Sequence, residues 1–544
     1  MPRTAPALLA SAALVLTAAA AVTVAAPSSA QQAPASPPSV PRAVCGPGSV
    51  PEPGMQGRVS AQDVAAGGAA DGYRCNVEVL GQEGGTAGFK VERYVDAAGR
   101  ECAFYDSTAS FPTDAVQSPS GVAVLDLSDP RTPRRTATLT TPAMLTPHES
   151  LLVNARRGLL VAVSGNLLTE PGILDVYDVS QDCTRPVLAS STPFGVLGHE
   201  SGFAPDGMTY YASSLGGGTV TAIDLADPAR PRPLFVGNYD THAITLSDDG
   251  NRAYLAAGAG FPRNEVGLGG AVDGLIVLDV SEIQARKADP KVREVSSLTW
   301  PIVTIPQTAL PFTVAGRPYL FEVDEFAYDD SFRIQSNGPR VGAARIIDIA
   351  DEKAPKVVSD LRLEVHQRKV RSMLAGDPGA TAAGAGYAGH YCSLPTRVDP
   401  QIAACSFLAS GLRVFDIRDP KAPREIAYYV APVPPGGPAN LAYSSPAFVP
   451  ERSEVWYSDA DRGFIALRLT NGVWPASGPV AVAPRPAAPS AVPAAAPAPA
   501  AGAPRQPDAA SGSGGRLPAT GLALPVGLGL ALLAAAGLVR RRRA

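Results

Sequence analysis

The sequence predicts an all-β fold, a seven-bladed β-propeller, flanked by disordered Pro/Ala-rich linkers and followed by a C-terminal transmembrane helix. Three observations predict it. A short motif, an apolar run ending in Asp, recurs along the middle of the chain. It returns at intervals a little above the roughly 40–50 residues of a propeller blade. The composition, with 53 Gly and 54 Pro among 544 residues, is typical of turn-rich β structure joined to low-complexity ends.

The N-terminus, residues 1–30, is interpreted as a secretory signal peptide. Arg3 supplies the positive charge, residues 7–26 are almost all apolar, and small residues precede position 31. We therefore expect cleavage after Ala30, with a retained N-terminal membrane anchor as the alternative. Residues 31–71 are rich in Pro, Ala and Gly, which predicts a flexible segment before the folded domain.

The repeated motif fills residues 72–470. Each apolar run has the pattern of a buried strand, and the Asp that ends it, often followed by Asp-Pro-x-x-Pro, predicts a turn in which Asp bonds its own backbone. Successive motif positions lie 46 to 69 residues apart. The seven positions are Asp126, Asp178, Asp224, Asp279, Asp348, Asp416 and Arg468.

Four strands can be ordered within each repeat. In the third repeat they are expected at residues 200–204, 208–213, 219–225 and 232–237. The seventh repeat lacks a clear fourth strand. We therefore expect residues 76–80 to supply it, so that the ring closes without an open edge.

The motif Val-Leu-Asp-Leu-Ser-Asp-Pro at residues 124–130 and its six relatives resemble the LVIVD-repeat family. The resemblance covers roughly residues 72–470 and implies a propeller in an exported bacterial protein. It implies no general enzymatic activity. It therefore strengthens the prediction of the fold and leaves the chemistry open.

Three parts follow in order at the C-terminus. Residues 522–539 are apolar, just long enough to span a hydrocarbon core, and the four Arg at 540–543 hold the chain end in the cytoplasm. The segment before them is Leu517, Pro518, Ala519, Thr520 and Gly521. Together these parts resemble the LPxTG sorting signal of Gram-positive surface proteins.

That resemblance implies a sortase that attacks the Thr520 carbonyl and joins it to peptidoglycan. The helix at 522–539 then anchors the chain in the membrane only before sorting; permanent retention by this helix is the alternative. The Pro/Ala-rich residues 471–516 are expected to form an extended linker that spans the cell wall.

Four of the five histidines share one repeat position, the start of the innermost strand, and two of them precede Glu. Equivalent positions in successive blades converge on the central channel. Imidazoles and carboxylates together can bind a divalent metal. Structural histidines that hydrogen-bond a turn or a neighbouring blade are the favoured interpretation, metal or ligand binding is the first alternative, and catalysis is the second. The candidate ligand-binding or metal-binding residues are His148, Glu149, His199, Glu200, His242 and His390.

Four long segments are predicted on the face where the histidines begin. They are residues 106–120, 258–273, 324–340 and 364–389. Long loops on a rigid scaffold usually carry function, and tolerated insertion is the alternative.

Six cysteines in an exported chain indicate disulfides. Cys392 and Cys405 lie about equidistant from the turn near residue 399, so they are expected to oppose each other across a hairpin. Cys75 with Cys102 is the second expected pair, and the partners of Cys45 and Cys183 stay open.

Charge and motifs limit the function classes. The 46 basic and 50 acidic residues nearly balance, which argues against a nucleic-acid partner. The sequence contains no nucleophile elbow, P-loop, HExxH or dinucleotide fingerprint, so no catalytic residue is predicted. Whether the chain is an enzyme stays open, with a non-enzymatic role favoured.

The leading hypothesis is an exported, cell-wall-anchored surface protein. Its propeller is a binding module for an unidentified extracellular ligand or protein. An extracellular metal-assisted enzyme with its site at the channel mouth is one alternative. A structural component of the cell surface is the other.

Overall fold

The computed structural model describes residues 36–107, 120–165, 172–195, 198–214, 218–239, 241–257, 274–331, 333–381 and 386–474. The predicted signal peptide, most of the Pro/Ala-rich linker and the sorting signal at 517–544 lie outside these residues. Within the described ranges, no helix is long and apolar enough to cross a membrane.

Seven antiparallel sheets form the blades of a β-propeller. Two strands precede the first complete blade, β1 (Tyr73–Cys75) and β2 (Val77–Glu83). Blade one is β3 (Val91–Val95), β4 (Glu101–Asp106), β5 (Val122–Asp126) and β6 (Arg134–Leu139). Blade two is β7 (Leu152–Asn154), β8 (Leu159–Val163), β9 (Gly172–Asp178) and β10 (Val187–Gly195). Blade three is β11 (Gly202–Phe203), β12 (Thr209–Ser214), β13 (Thr219–Asp224) and β14 (Arg232–Gly237).

The remaining blades follow the same order. Blade four is β15 (Thr241–Leu246), β16 (Arg252–Ala257), β17 (Gly274–Asp279) and β18 (Arg293–Leu298). Blade five is β19 (Ile305–Val314), β20 (Arg317–Glu325), β23 (Ala344–Asp348) and β24 (Lys356–Leu361), with a small hairpin of β21 (Ala327–Tyr328) and β22 (Arg340–Val341) between its second and third strands. Blade six is β25 (Tyr391–Ser393), β26 (Ile402–Ser406), β27 (Leu412–Asp416) and β28 (Arg424–Val430). Blade seven is β29 (Ala447–Val449), β30 (Glu454–Asp459) and β31 (Gly463–Leu469), completed by β2.

Helices in the described part of the chain are few and short. The α-helices are α1 (Ala61–Ala65), α2 (Pro142–Leu145), α3 (Ser281–Gln284) and α4 (Pro378–Thr381). The 3-10 helices are Glu364–His366, Arg368–Leu374 and Pro450–Arg452.

The ring closes as the sequence predicts, through an N-terminal strand in the last blade. β2 pairs with β31 in antiparallel register, from Val77 opposite Leu469 to Glu83 opposite Phe464. The strand before it was not predicted. β1 adds a fifth strand to blade six by pairing with β28, with Tyr73 opposite Val430. The N-terminal strands therefore tie the last two blades to the start of the domain.

The blades are equivalent in local detail. In six of them, the carboxylate of the motif Asp accepts the backbone N–H two residues later at 2.8–3.1 Å, the turn that the sequence predicts. In all seven, the same register shift interrupts pairing with the outermost strand just before the motif position. The core lies between neighbouring sheets, as where Tyr105 of blade one and Trp456 of blade seven are fully buried in one cluster.

Residues 36–71 correct one prediction. The sequence predicts a flexible segment, but these residues pack against blades five and six. Glu52 binds the buried guanidinium of Arg413 at 2.7 Å, and Arg58 binds Asp377 at 2.7 Å. Both partners lie more than 300 residues away, so the local Pro/Gly composition carries no sign of them.

Three disulfides pair all six cysteines. Cys392 and Cys405 are bonded as predicted, and they face each other in the β25–β26 register. The predicted pair of Cys75 with Cys102 is wrong. Cys75 bonds Cys45 and Cys102 bonds Cys183, because ring closure places β1 in blade six while Cys102 lies in blade one. The second of these bonds joins blade one to blade two.

Candidate functional site at the channel mouth

The structure brings the four predicted histidines together near the starts of the innermost strands. The ring centroids of His148 and His199 lie 4.6 Å apart, and those of His199 and His242 lie 4.3 Å apart. The Nε2 atoms of His199 and His242 are 3.0 Å apart. His390 joins them through Glu325, whose two carboxylate oxygens lie 3.1 Å from His242 Nε2 and 3.4 Å from His390 Nε2.

Local backbone geometry explains how two of these side chains reach the mouth. A Cβ atom on Gly165 would lie 2.4 Å from the Cβ of His148, and one on Gly198 would lie 2.7 Å from the Val163 carbonyl oxygen. Only glycine permits these approaches. His148 itself adopts a left-handed conformation with φ of 52°. Such strain in a residue other than glycine tends to occur at functional sites.

Glu149 is the carboxylate at the centre of the cluster. Its oxygens lie 3.8 Å from His148 Nε2, 3.5 Å from His199 Nε2 and 3.6 Å from His242 Nδ1. The side-chain amide of Gln307, from β19, donates to Glu149 at 3.0 Å and fixes its orientation. His148, Glu149 and His199 each offer one atom that could ligate a metal, and these three atoms lie within 4.8 Å of one another.

Glu200 has a different environment from the one that the sequence suggests. Its carboxylate binds Lys90 Nζ at 2.6 Å and accepts the Tyr391 hydroxyl at 2.9 Å. The ammonium of Lys90 also lies 4.5 Å from the centre of the Tyr391 ring. Glu200 is thus a buried ion-pair partner beside the cluster.

Three residues at the site were missed by sequence reasoning, Lys90, Gln307 and Glu325. Lys90 immediately precedes the innermost strand of blade one, and Gln307 lies in the innermost strand of blade five. They occupy positions like those of the histidines, but their blades do not carry the His-Glu pattern. Glu325 ends the second strand of blade five, where the predicted long segment 324–340 begins. The long loop predicted there, which contains the β21–β22 hairpin, was therefore the sequence feature that could have indicated Glu325.

Burial and charge set the protonation of the imidazoles. Burial lowers the pKa of His148, lowers that of His199 well below its usual value, and lowers that of His390 to about 4. Burial alone would also lower the pKa of His242, but the charges of Glu149 and Glu325 outweigh it and raise this pKa to about 9. Three imidazoles therefore keep neutral, electron-donating nitrogens near neutral pH.

Burial and the neighbouring imidazoles also give the carboxylates different pKa values. It raises the pKa of Glu325 to about 7 and raises that of Glu200. It would do the same to Glu149, but the surrounding imidazoles outweigh it and lower the pKa of Glu149. Glu149 is therefore the carboxylate that is ionised most readily.

Solvent reaches the cluster from one side. The side chain of His148 is 34% exposed and that of His199 is 16% exposed, whereas those of His242 and Glu149 are almost fully buried. The Phe89 ring packs against His148 with centroids 4.2 Å apart. The arrangement can hold a cation between imidazole nitrogens and a carboxylate while leaving one direction open to solvent.

The predicted long segments reach this face where the structure describes them. Residues 324–340 include Glu325, and residues 364–389 lead into His390. Residues 108–119 and 258–273 lie outside the described part of the chain. A separate open depression on the opposite face is lined by Asp248, Arg252 and Glu352 among others, but Arg252 pairs there with Glu352 at 2.8 Å.

Comparisons with known proteins assign the chain to no family. No family model matches the chain, and no curated protein matches its sequence. Among solved structures, the hydrazine synthase of Kuenenia stuttgartiensis aligns with a TM-score of 0.44 at 14% identity, over 71% of this chain and 97% of that one. A protein from Lactobacillus plantarum aligns with a TM-score of 0.40 at 11% identity, over 66% of this chain and 88% of that one. The propeller assignment rests on the strand order and register described above.

Proposed function

We propose that this chain is an exported, cell-wall-anchored surface protein whose propeller is a binding module with its site at the channel mouth. The observation that carries the binding role is the convergence of four imidazoles with three carboxylates from five blades. Lys90 is the one ammonium that bonds this group within the described ranges. Neutral imidazoles and an ionised carboxylate are ligands of divalent metals, so the ligand that suits this site is a cation.

Export and anchoring are supported by two independent features. Three disulfides are typical of proteins in oxidising compartments. The C-terminal order of LPATG, apolar residues and four Arg fits sortase processing. Sortase and peptidoglycan are therefore the proposed partners at Thr520.

Cell fractionation of a sortase-bearing Gram-positive host that expresses the full chain tests the anchoring. The wild-type protein should leave the wall only after muramidase digestion. Thr520→Ala should move it to the membrane and medium, whereas Ala519→Ser, at the variable motif position, should leave it in the wall. Equal wall attachment of Thr520→Ala and wild type, or wild type confined to the cytoplasm, contradicts anchoring.

Thermal unfolding of the full chain tests the binding role. Chelated protein is compared with protein in Mg²⁺, Ca²⁺, Mn²⁺ and Zn²⁺. A cation at about 100 times its Kd adds about 2.7 kcal/mol to the free energy of unfolding. A melting temperature that no cation changes would be evidence against a cation-binding module.

A metal-assisted extracellular enzyme is the second candidate function. It is favoured by the partial exposure of His148 and His199, since an ion held by three protein ligands keeps a position for water or substrate. The test is hydrolysis of a panel of esters, phosphoesters and peptides by metal-loaded and chelated protein. Turnover that requires metal and disappears in Glu149→Gln would establish this role.

A further inference from the structure

We propose that the channel mouth holds one divalent transition-metal ion, coordinated by His148 Nε2, the Glu149 carboxylate and His199 Nε2, with a further position open to solvent. This inference rests on the proposed function, because it names the cation that the binding module takes.

The separations of the donor atoms fit a shared ion. Metal–ligand bonds of 2.0–2.2 Å place neighbouring ligands of a tetrahedral ion about 3.4 Å apart. Glu149 oxygens lie 3.5 Å from His199 Nε2 and 3.8 Å from His148 Nε2. All three ligand atoms lie within 4.8 Å of one another, so side-chain rotation has to bring them closer to reach this geometry.

Hydrogen bonding leaves acceptor atoms facing each other in the cluster. The Tyr443 carbonyl only accepts, so His390 Nδ1 must donate to it, at 2.5 Å, and the neutral ring then presents its Nε2 lone pair to the Glu325 carboxylate. A positive charge within the cluster satisfies such atoms.

The surroundings of Glu149 resemble those of a metal ligand. Ligating carboxylates are themselves usually held by hydrogen bonds, and Gln307 supplies one to Glu149 at 3.0 Å. The left-handed backbone of His148 turns its ring toward the Glu149 carboxylate, although adjacent residues of an extended strand point to opposite faces.

The donor set selects the class of metal. Two imidazole nitrogens and one carboxylate suit Zn²⁺, Cu²⁺, Ni²⁺ or Fe²⁺, whereas Ca²⁺ takes six to eight oxygen ligands and Mg²⁺ keeps several waters. His148 is the most exposed of the three ligands, so the open position lies on its side of the mouth.

The test is a Zn²⁺ titration of the metal-free full chain by calorimetry, with Co²⁺ absorption reporting the ligand geometry. Wild type should bind one ion. Glu149→Gln and His199→Asn should weaken binding at least about 100-fold, since changes in residues that only support a ligand already cost 10–100-fold. Glu200→Gln is the matched control, because it removes the same charge from the same channel; it should change affinity less than about 10-fold.

Three results overturn the inference. They are the absence of stoichiometric Zn²⁺ binding, equal weakening by Glu149→Gln and Glu200→Gln, and a Co²⁺ spectrum that is unchanged in His148→Asn. His148 is partly exposed, so its variant keeps the test valid if Glu149→Gln fails to fold. Stabilisation by Ca²⁺ or Mg²⁺ that Glu149→Gln does not alter would overturn this metal site and leave the proposed binding role standing. No stabilisation by any cation would overturn both.

Discussion

Removal of the disulfide between blades one and two should destabilise the protein more than removal of the disulfide inside blade six. The Cys102–Cys183 bond spans 81 residues, and the Cys392–Cys405 bond spans 13. In the chain-entropy description, closing loops of these lengths removes conformational entropy from the unfolded state. This raises the free energy of the unfolded state by about 4.5 and about 3 kcal/mol respectively. The double variant C102A/C183A should therefore lose about 1.5 kcal/mol more than C392A/C405A.

Guanidinium unfolding of both double variants, followed by tryptophan fluorescence, measures the difference. Full reduction should remove on the order of 10 kcal/mol, which is comparable to the whole stability of a typical folded protein. The reduced chain should then populate unfolded states, as expected under the proposed export to an oxidising compartment. A larger loss in C392A/C405A than in C102A/C183A would refute the loop-length argument, and a reduced protein as stable as the oxidised one would refute the link to export.

Three further predictions concern packing and ion pairs elsewhere in the propeller. Arg413→Ala should lower the free energy of unfolding by about 3–5 kcal/mol, because it leaves Glu52 and Glu425 buried without their cation. Arg418→Ala should lower it by less than about 1 kcal/mol, and chemical denaturation compares the two variants. Gly81→Ala should weaken the closing strand by about 1–3 kcal/mol, because a Cβ there lies 2.4 Å from the Pro130 carbonyl oxygen, while Gly85→Ala meets no atom within 4 Å and should be near neutral. Burial raises the pKa of Asp459 to about 6, so the folded state holds its proton more tightly than the unfolded state, and the resulting stability is present below pH 4 and lost as the pH rises to 6. Asp459→Asn should flatten this part of the stability profile by on the order of 3 kcal/mol, and superimposable profiles would contradict the assignment.

Much of the fold could be predicted because the chain repeats itself. The motif Asp marks the end of the third strand in six blades, where its carboxylate closes the same turn each time. Period and turn chemistry therefore locate the strands, and the missing fourth strand of blade seven identifies β2 as the closing strand.

The N-terminal segment could not be predicted in the same way. Its order comes from long-range partners, such as Arg413 for Glu52 and Asp377 for Arg58, and nothing in residues 36–71 encodes the position of those partners. The same reason explains the wrong pairing of Cys75, since proximity in sequence to Cys102 says nothing about which blade β1 joins.

The candidate site was half predictable. Repeat position brings His148, His199, His242 and His390 together, because equivalent residues of a closed ring surround one axis. Glu325 lies outside that repeat position, at the end of a second strand. The partners of Glu200 depend on side-chain geometry across the channel, which periodicity does not specify.

The scaffold and the site have a simple physical relation. The innermost strands contact their neighbours around the ring and so fix the backbone. Ionisable side chains from five blades are therefore held close together, as the distances of 3.5 Å between Glu149 and His199 and 3.1 Å between His242 and Glu325 show. Such preorganisation lowers the entropic cost of binding, which is how a rigid ring can bind an ion with few ligands.

The metal site is tested most directly by diffraction from crystals of the full chain grown with Zn²⁺, with data collected on both sides of the zinc absorption edge. A single strong anomalous peak is expected about 2.0–2.2 Å from His148 Nε2, a Glu149 oxygen and His199 Nε2. An empty channel mouth at saturating Zn²⁺, or a peak coordinated by other residues, would contradict it.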